Sequence, residues 1–248
     1  MESSIIIIPT YNESENITRL ISEIFEQQPA AHILIIDDNS PDGTSTIVNS
    51  LIAKFSTQLF LVQRDGKLGL GTAYILGFKW ALNRGYEYIF EMDADFSHPV
   101  ISLQKLYEAC AVKKFDVAVG SRYIKGGKVI NWPANRVLMS YYASVYVRLI
   151  TWMPVQDTTA GFICYRRKVL ETIDLDKVTF VGYAFQIEMK YAASCLGFKI
   201  KEVPIIFTDR AEGISKMSKG IFNEAVFGVL KMRWNSFFHS YKKHDKTT

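Results

Sequence analysis

Tyr88-Ile89-Phe90-Glu91-Met92-Asp93-Ala94-Asp95 runs an apolar stretch straight into two carboxylates at alternate positions. Its first half has the β-branched and aromatic character of a buried strand, and the residues after it are polar and turn-forming. The same change recurs along the first half of the chain. Ile5–Ile8 gives way to Pro9-Thr10-Tyr11-Asn12-Glu13, and Ile33–Ile36 to Asp37-Asp38-Asn39-Ser40. Leu59–Val62 and Val117–Val119 repeat it, the latter running on to Arg122. Continuous apolar runs of this length predict strands covered on both faces.

The segments between the runs have helical spacing. Asn12 and Glu15 resemble a capping box ahead of Ile17, Leu20, Ile21 and Ile24. Ser97, with Pro99 close behind, is placed to cap a helix bearing Leu103, Leu106, Tyr107 and Cys110 on one face. Gly85 is expected to close the helix that starts near Gly69. Strand–helix alternation predicts an α/β fold with a mostly parallel sheet and helices on both faces. Ligands in such sheets bind at the carboxyl ends of the strands. In the second half, Val137–Trp152 reads as one or two helices, buried or at an interface. Gly161–Tyr165 and Val203–Phe207 read as strands, and Phe185–Leu196 and Ile221–Tyr241 as helices. On the last helix Phe222, Val226, Leu230, Trp234, Phe237, Phe238 and Tyr241 span about half the circumference.

Composition narrows the function. The chain has 248 residues, 48% hydrophobic and 22% charged, which describes one compact domain, with room for a small appendage, and excludes disorder. A formal charge of +4 is too small to demand nucleic acid, though it suits an anionic substrate or surface. Cys110, Cys164 and Cys195 form no metal-ligand spacing and are expected to be free buried thiols in a reducing compartment. The start of the chain lacks a signal-peptide pattern. No stretch free of Asp, Glu, Lys and Arg exceeds 11 residues, so no membrane span is expected.

Asp93 and Asp95 carry the strongest chemical signal. Two carboxylates so close are unfavourable unless a cation lies between them, and oxygen ligands suit Mg²⁺ or Mn²⁺. A solvated loop pair is the alternative, and the strand-end position favours the cation. Tyr11 is placed to stack on a base and Asp38 to accept hydrogen bonds from a base or ribose. Gly66-Lys67-Leu68-Gly69-Leu70-Gly71-Thr72 fits neither a P-loop nor a dinucleotide fingerprint, and Lys67 is expected to be solvated. Arg122, Arg136, Arg210, Lys216 and Lys219 suggest a second phosphate beyond the one served by the metal.

PTYNE, DDNSPDGT, GLGTAY, DAD with SHP, GSRY, NWP with Arg136, DTTAGF, and VPIIF followed by DRAEGISKMS occur in order. Together they resemble the polyprenol-phosphate mannosyltransferases of glycosyltransferase family 2, from about Ile5 to about Lys219. The resemblance implies a GT-A fold, a GDP-mannose donor, Mg²⁺ or Mn²⁺, and a polyprenyl phosphate acceptor at a membrane surface. Pro9, Tyr11, Glu13, Ile36 and Asp38 match donor-contacting positions. Asp93, Ala94 and Asp95 match the metal and diphosphate motif, with Ser97 beside the metal. Arg122 and Arg136 match acceptor-phosphate positions, and Arg210 and Lys216 a loop that closes over donor and metal. Asp95, Arg122 and Arg210 would carry catalysis, by direct displacement with inversion.

On this reading residues 1–220 form the catalytic domain and 221–248 an amphipathic helix and tail. The transmembrane helices that some relatives append are not seen, so Val137–Trp152 and the C-terminal helix are candidates for interfacial contact, with packing on the sheet or a partner as the alternative. The protein is expected at the cytoplasmic face, peripherally bound; a membrane-anchoring partner stays open. Rival readings are a polyprenyl-phosphate glucosyltransferase using UDP-glucose and a non-catalytic nucleotide-sugar-binding subunit.

Overall fold

The computed structural model describes residues 1–182, 184–209 and 219–243. Its strands are β1 Ser4–Thr10, β2 His32–Asp37, β3 Leu59–Gln63, β4 Tyr88–Glu91, β5 Val117–Ser121, β6 Lys128–Ile130, β7 Ile163–Arg166, β8 Ile200–Pro204 and β9 Ile206–Thr208. The helices are α1 Ile17–Gln27, α2 Thr44–Ile52, α3 Leu70–Asn83, α4 Leu103–Ala111, α5 Ala134–Thr151, α6 Arg167–Thr172, α7 Ala184–Cys195 and α8 Lys219–Asn235.

Seven strands form one sheet in the order β3-β2-β1-β4-β7-β5-β8. All neighbours pair in parallel except β7, which runs antiparallel to both β4 and β5. The isoleucine run of β1 shows why it is unbroken. Ile6 and Ile8 pack with α1 and α4, while Ile5 and Ile7 pack with α3 and α7. A strand with both faces covered has no polar side to display. The approach of α3 is close: a Cβ on Gly77 would stand 2.6 Å from Ile7 Cγ2. The order also fixes the site. β1–β3 wind to one side and β4 starts the other, so the crevice opens at the carboxyl ends of β1 and β4.

Several expectations are corrected. Asn12 and Glu15 make no capping box. α1 starts at Ile17, and Asn12 adopts φ 59°, in the left-handed region. The amides of Asn12, Glu13 and Ser14 donate instead to Ser40 Oγ, Thr44 Oγ1 and Asp42 Oδ2, stitching the loop after β1 to the loop after β2. Ser97 caps no helix; a single 3-10 turn, Val100–Ser102, precedes α4. The expected strand over Val203–Phe207 is two strands. The chain leaves the main sheet at Ile205 and pairs β9 with β6 in a separate parallel ribbon. The helix expected to Tyr241 ends at Asn235, because the tail turns back and bridges Lys242 to Ile173 beside α6. Cys110 and Cys164 are buried thiols, but Cys195 is exposed.

α5 is a single helix along the surface, with only Ser144, Val147 and Thr151 buried. Val147 shares a small core with Ile187 and Tyr191 of α7 and with Val229 and Met232 of α8. The rest of α5 shows Leu138, Met139, Tyr142 and Leu149 to solvent, and α8 shows Phe227 and Trp234.

Candidate active site

Each loop of the crevice is built by short-range chemistry. Asp37 ends β2 and is spent on structure: Thr10 Oγ1 and Ser40 Oγ donate to its Oδ1 at 2.8 and 2.6 Å, and the Ser40 amide to Oδ2 at 2.9 Å. Asp38 is buried beside it and meets Arg64, whose Nε donates to Oδ1 at 2.5 Å. Arg64 also donates to Thr72 Oγ1 and to the Gly69 carbonyl, so it ties the end of β3 to the start of α3. Tyr11 lies under Lys67, whose ammonium sits 4.7 Å from the ring centroid. Lys67 therefore spends its charge on an aromatic face rather than on solvent alone. Pro9 and Glu13 are half-buried at the same edge. Ile36 differs: its side chain has no exposed surface and packs in the core on the α3 side.

The Asp93–Asp95 turn comes directly after β4. The Asp93 amide donates to His98 Nδ1 at 3.0 Å, and the Ser97 amide to Asp95 Oδ1 at 3.1 Å. Between them Phe96 adopts φ 60° and receives the Arg19 guanidinium on its ring. Asp93 is partly exposed to the crevice, while Ala94, Asp95 and Ser97 are buried. Among the described residues no three His, Cys, Asp or Glu side chains gather to hold a metal alone. The donor set is two hard carboxylates on a strand end. That set fits Mg²⁺ or Mn²⁺ sharing its shell with phosphate oxygens, and it does not fit a closed all-protein site.

Beneath this turn lies a buried polar cluster. Glu91 is fully buried, and neither carboxyl oxygen has a hydrogen-bond partner of good geometry among the described residues. Burial pushes its pKa up to about 8, opposed by Lys190. Burial likewise lowers Lys190 to about 7, and its Nζ donates to the Ala160 carbonyl at 2.6 Å.

The opposite wall is arginine and aromatic. Arg122 leaves β5 and is locked to Asp157: Nε donates to Oδ2 at 2.7 Å and Nη2 to Oδ1 at 2.6 Å, with Thr159 Oγ1 at 2.8 Å from Nη2. Asp157 is held in turn by Glu202, which accepts from the Asp157 and Gln156 amides. Burial alone would lower the Arg122 pKa, but Asp157 raises it, so the guanidinium stays charged. Arg136 lies 4.0 Å over the Trp132 ring, and Arg122 lies 5.6 Å from the same ring. Asp209 accepts from Arg136 Nη1 at 3.2 Å and from Trp132 Nε1 at 3.0 Å. The two arginines thus share one tryptophan, and each carries an aspartate counter-charge. The β6/β9 ribbon supplies Phe207, which faces Arg122.

The structure therefore brings Pro9, Tyr11, Glu13, Asp38, Asp93, Ala94, Asp95, Ser97, Arg122 and Arg136 to one sheet edge. It removes the Ile36 side chain from it. Arg210 and Lys216 lie outside the described residues. Sequence reasoning missed His98, Arg64, Asp157 and Asp209 as parts of the site. Asp157 and Asp209 open the DTTAGF and DRAEG stretches and His98 lies in SHP, so each was visible as a motif letter. What was missing was a partner.

The pattern described as Glycosyl transferase family 2 matches residues 5–174. The chain is 44% identical over 228 residues to the polyprenol monophosphomannose synthase of Mycolicibacterium smegmatis, covering 92% of this chain and 86% of that one. It is 43% identical over 232 residues to the undecaprenyl-phosphate mannosyltransferase of Micrococcus luteus, covering 92% and 94%. In fold it is similar to a mannosyltransferase of Pyrobaculum calidifontis solved with GDP-Man and Mn²⁺, with a TM-score of 0.59 and 16% identity over 95% of this chain and 64% of that one.

Proposed function

This chain belongs to the polyprenol-phosphate mannosyltransferases of glycosyltransferase family 2, and we propose that it transfers mannose from GDP-mannose to a polyprenyl phosphate with inversion. One observation carries the reading. A pair of carboxylates, Asp93 and Asp95, and a pair of arginines sharing Trp132 converge on one sheet edge from different loops. A reaction between two phosphate-bearing molecules needs one such group for each.

Tyr11, Glu13 and Asp38 would hold the nucleoside, with Pro9 shaping the edge. Asp93 and Asp95, with Ser97 alongside, would hold Mg²⁺ or Mn²⁺. Bound there, such an ion supplies Lewis-acid assistance to departure of the nucleoside diphosphate. The acceptor phosphate is already ionised at neutral pH, so no strong general base is required of the protein. Arg122 and Arg136 would orient that phosphate for in-line attack on the anomeric carbon. Arg122 suits this because Asp157 and Thr159 fix its Nε and Nη2, while Nη1 has no hydrogen bond among the described residues. Arg210 and Lys216 are assigned to donor closure by resemblance.

Membrane association is part of the same proposal. Among the described residues no helix is long and apolar enough to cross a bilayer. Trp152 at the end of α5 is 80% exposed and Trp234 of α8 is 66% exposed. Arg233 lies 5.2 Å over Trp152 and 4.6 Å over Phe237. Aromatic rings with a basic group among them suit the headgroup region of an anionic membrane. Three free cysteines support the cytoplasmic face.

The test is radiolabel transfer into the organic phase, with Mg²⁺ or Mn²⁺, a short polyprenyl phosphate, and either GDP-mannose or UDP-glucose. Metal-dependent counts from GDP-mannose, lost in Asp95→Ala, are expected. Counts from UDP-glucose alone would replace the donor. A retained anomer would overturn the displacement mechanism.

A further inference from the structure

His98 is a buried imidazole between the two halves of the site. Its ring lies parallel to Phe162, 4.9 Å between centroids, and edge-on to Phe207 at 5.9 Å. It lines one small crevice with Arg122, Ala160, Gly161 and Phe207. The charged groups that face it are Asp93, Asp95, Arg122 and Asp157, so it stands where the carboxylate turn meets the arginine wall.

Its hydrogen bond defines its form. The Asp93 amide is a donor, so His98 Nδ1 must be the unprotonated acceptor, and a neutral ring then carries its proton on Nε2. Nε2 stands 3.9 Å from Asp93 Oδ2, too far for a hydrogen bond, so the main-chain contact is what ties the ring to the turn.

The turn needs that tie. Phe96 is a bulky residue with φ 60°, a left-handed conformation that persists only where surrounding contacts over-determine it. The Asp95–Ser97 hydrogen bond holds one side of Phe96, and the Asp93–His98 bond closes the turn across the whole segment.

We propose that His98 is a positioning residue for the cation-binding turn: through Nδ1 it holds the Asp93 main chain, and so sets where the Asp93 and Asp95 carboxylates stand relative to Arg122. The inference rests on the assignment of a metal to Asp93 and Asp95. It concerns binding geometry, so its readout is metal affinity rather than turnover.

The experiment measures Mn²⁺ binding in the presence of GDP, by the electron paramagnetic resonance signal of free Mn²⁺. It uses wild type, Asp95→Ala, His98→Phe and His98→Asn. His98→Phe keeps a ring on Phe162 but leaves the Asp93 amide without an acceptor. His98→Asn loses the ring but returns an acceptor oxygen near the Nδ1 position. A tenfold or greater loss of Mn²⁺ affinity is expected in His98→Phe, with His98→Asn within threefold of wild type. Equal binding by all His98 variants, or equal loss in both, overturns the inference while leaving the metal reading intact. A wild type that ignores Mn²⁺, or an Asp95→Ala variant that binds it normally, overturns the metal reading and this inference with it. If His98→Phe does not fold by circular dichroism, His98→Asn decides alone: within threefold supports the role, and a tenfold loss overturns it.

Discussion

Asp157 accepts from both Nε and Nη2 of Arg122 and from the Arg122 amide, three charge-assisted or main-chain bonds onto one fully buried carboxylate. Arg122, proposed above to orient the acceptor phosphate, is therefore built as a pair with Asp157, its fork already fixed. Asp157→Asn keeps the shape and removes the charge. Breaking a buried pair from one side costs about 3–5 kcal/mol. A lower melting temperature is expected, together with a tenfold or greater rise in KM for the polyprenyl phosphate and little change in KM for the donor. Thermal melts and initial rates at varied acceptor check both, and an unchanged acceptor KM would separate Arg122 from the acceptor.

Arg64 holds Asp38, proposed above to contact the nucleoside, in the same way. Its Nε bond to Asp38 fixes one carboxylate oxygen, and on the proposed function the other would accept from a base or ribose. Arg64→Met should raise the donor KM about tenfold or more, the scale of a lost charge-assisted hydrogen bond of about 1.5–3 kcal/mol. The acceptor KM should stay within twofold. Rates at saturating acceptor and varied donor measure this.

The buried Glu91 predicts a pH dependence of stability. Burial raises its folded pKa to about 8 from an ordinary value of 4.5. The sign is set by proton counts. Between about pH 5 and 7 the unfolded chain has lost this proton and the folded chain keeps it, so stability falls as pH rises. The slope from this one group approaches about 1.4 kcal/mol per pH unit. Glu91→Gln holds no such proton. Its stability should gain on wild type steadily across that window, measured by urea melts at several pH values. Parallel profiles would mean that Glu91 is ionised in the folded protein.

The exposed aromatics of α5 and α8 predict a separation of membrane binding from chemistry. Trp152→Ala with Trp234→Ala should weaken sedimentation with anionic phospholipid vesicles by tenfold or more. Transfer to a water-soluble short-chain acceptor should stay within twofold, since both rings are exposed and their ring contacts are with Arg233 and Phe238. Undiminished vesicle binding would assign this face to packing against another protein.

Much of this architecture is legible without coordinates. Ile5–Ile8 reads as a strand buried on both faces, because four consecutive β-branched residues leave no solvent side, and β1 is sandwiched in that way. Asp93 and Asp95 can be placed at a strand end because Tyr88–Met92 reads as a short strand running into them. These inferences rest on periodicity and composition within a few residues, where backbone sterics and side-chain burial act locally.

Other features depend on which loops the crossovers bring together, and no local rule contains that. β7 enters antiparallel between β4 and β5, and that insertion delivers the Asp157–Gly161 loop to Arg122, across 35 residues of sequence. The shift from β8 to β9 at Ile205 brings Asp209 to Arg136 and Trp132. Asn12 and Glu15 satisfied a capping pattern locally, yet the amides of Asn12, Glu13 and Ser14 in that same loop found acceptors in Ser40, Asp42 and Thr44 after β2. Local pattern thus specifies β1 to β5, the two-sided burial of β1 and β2, and the carboxylates at the crevice. Which charge each arginine faces is set by topology, because pairing energy depends on distance in space.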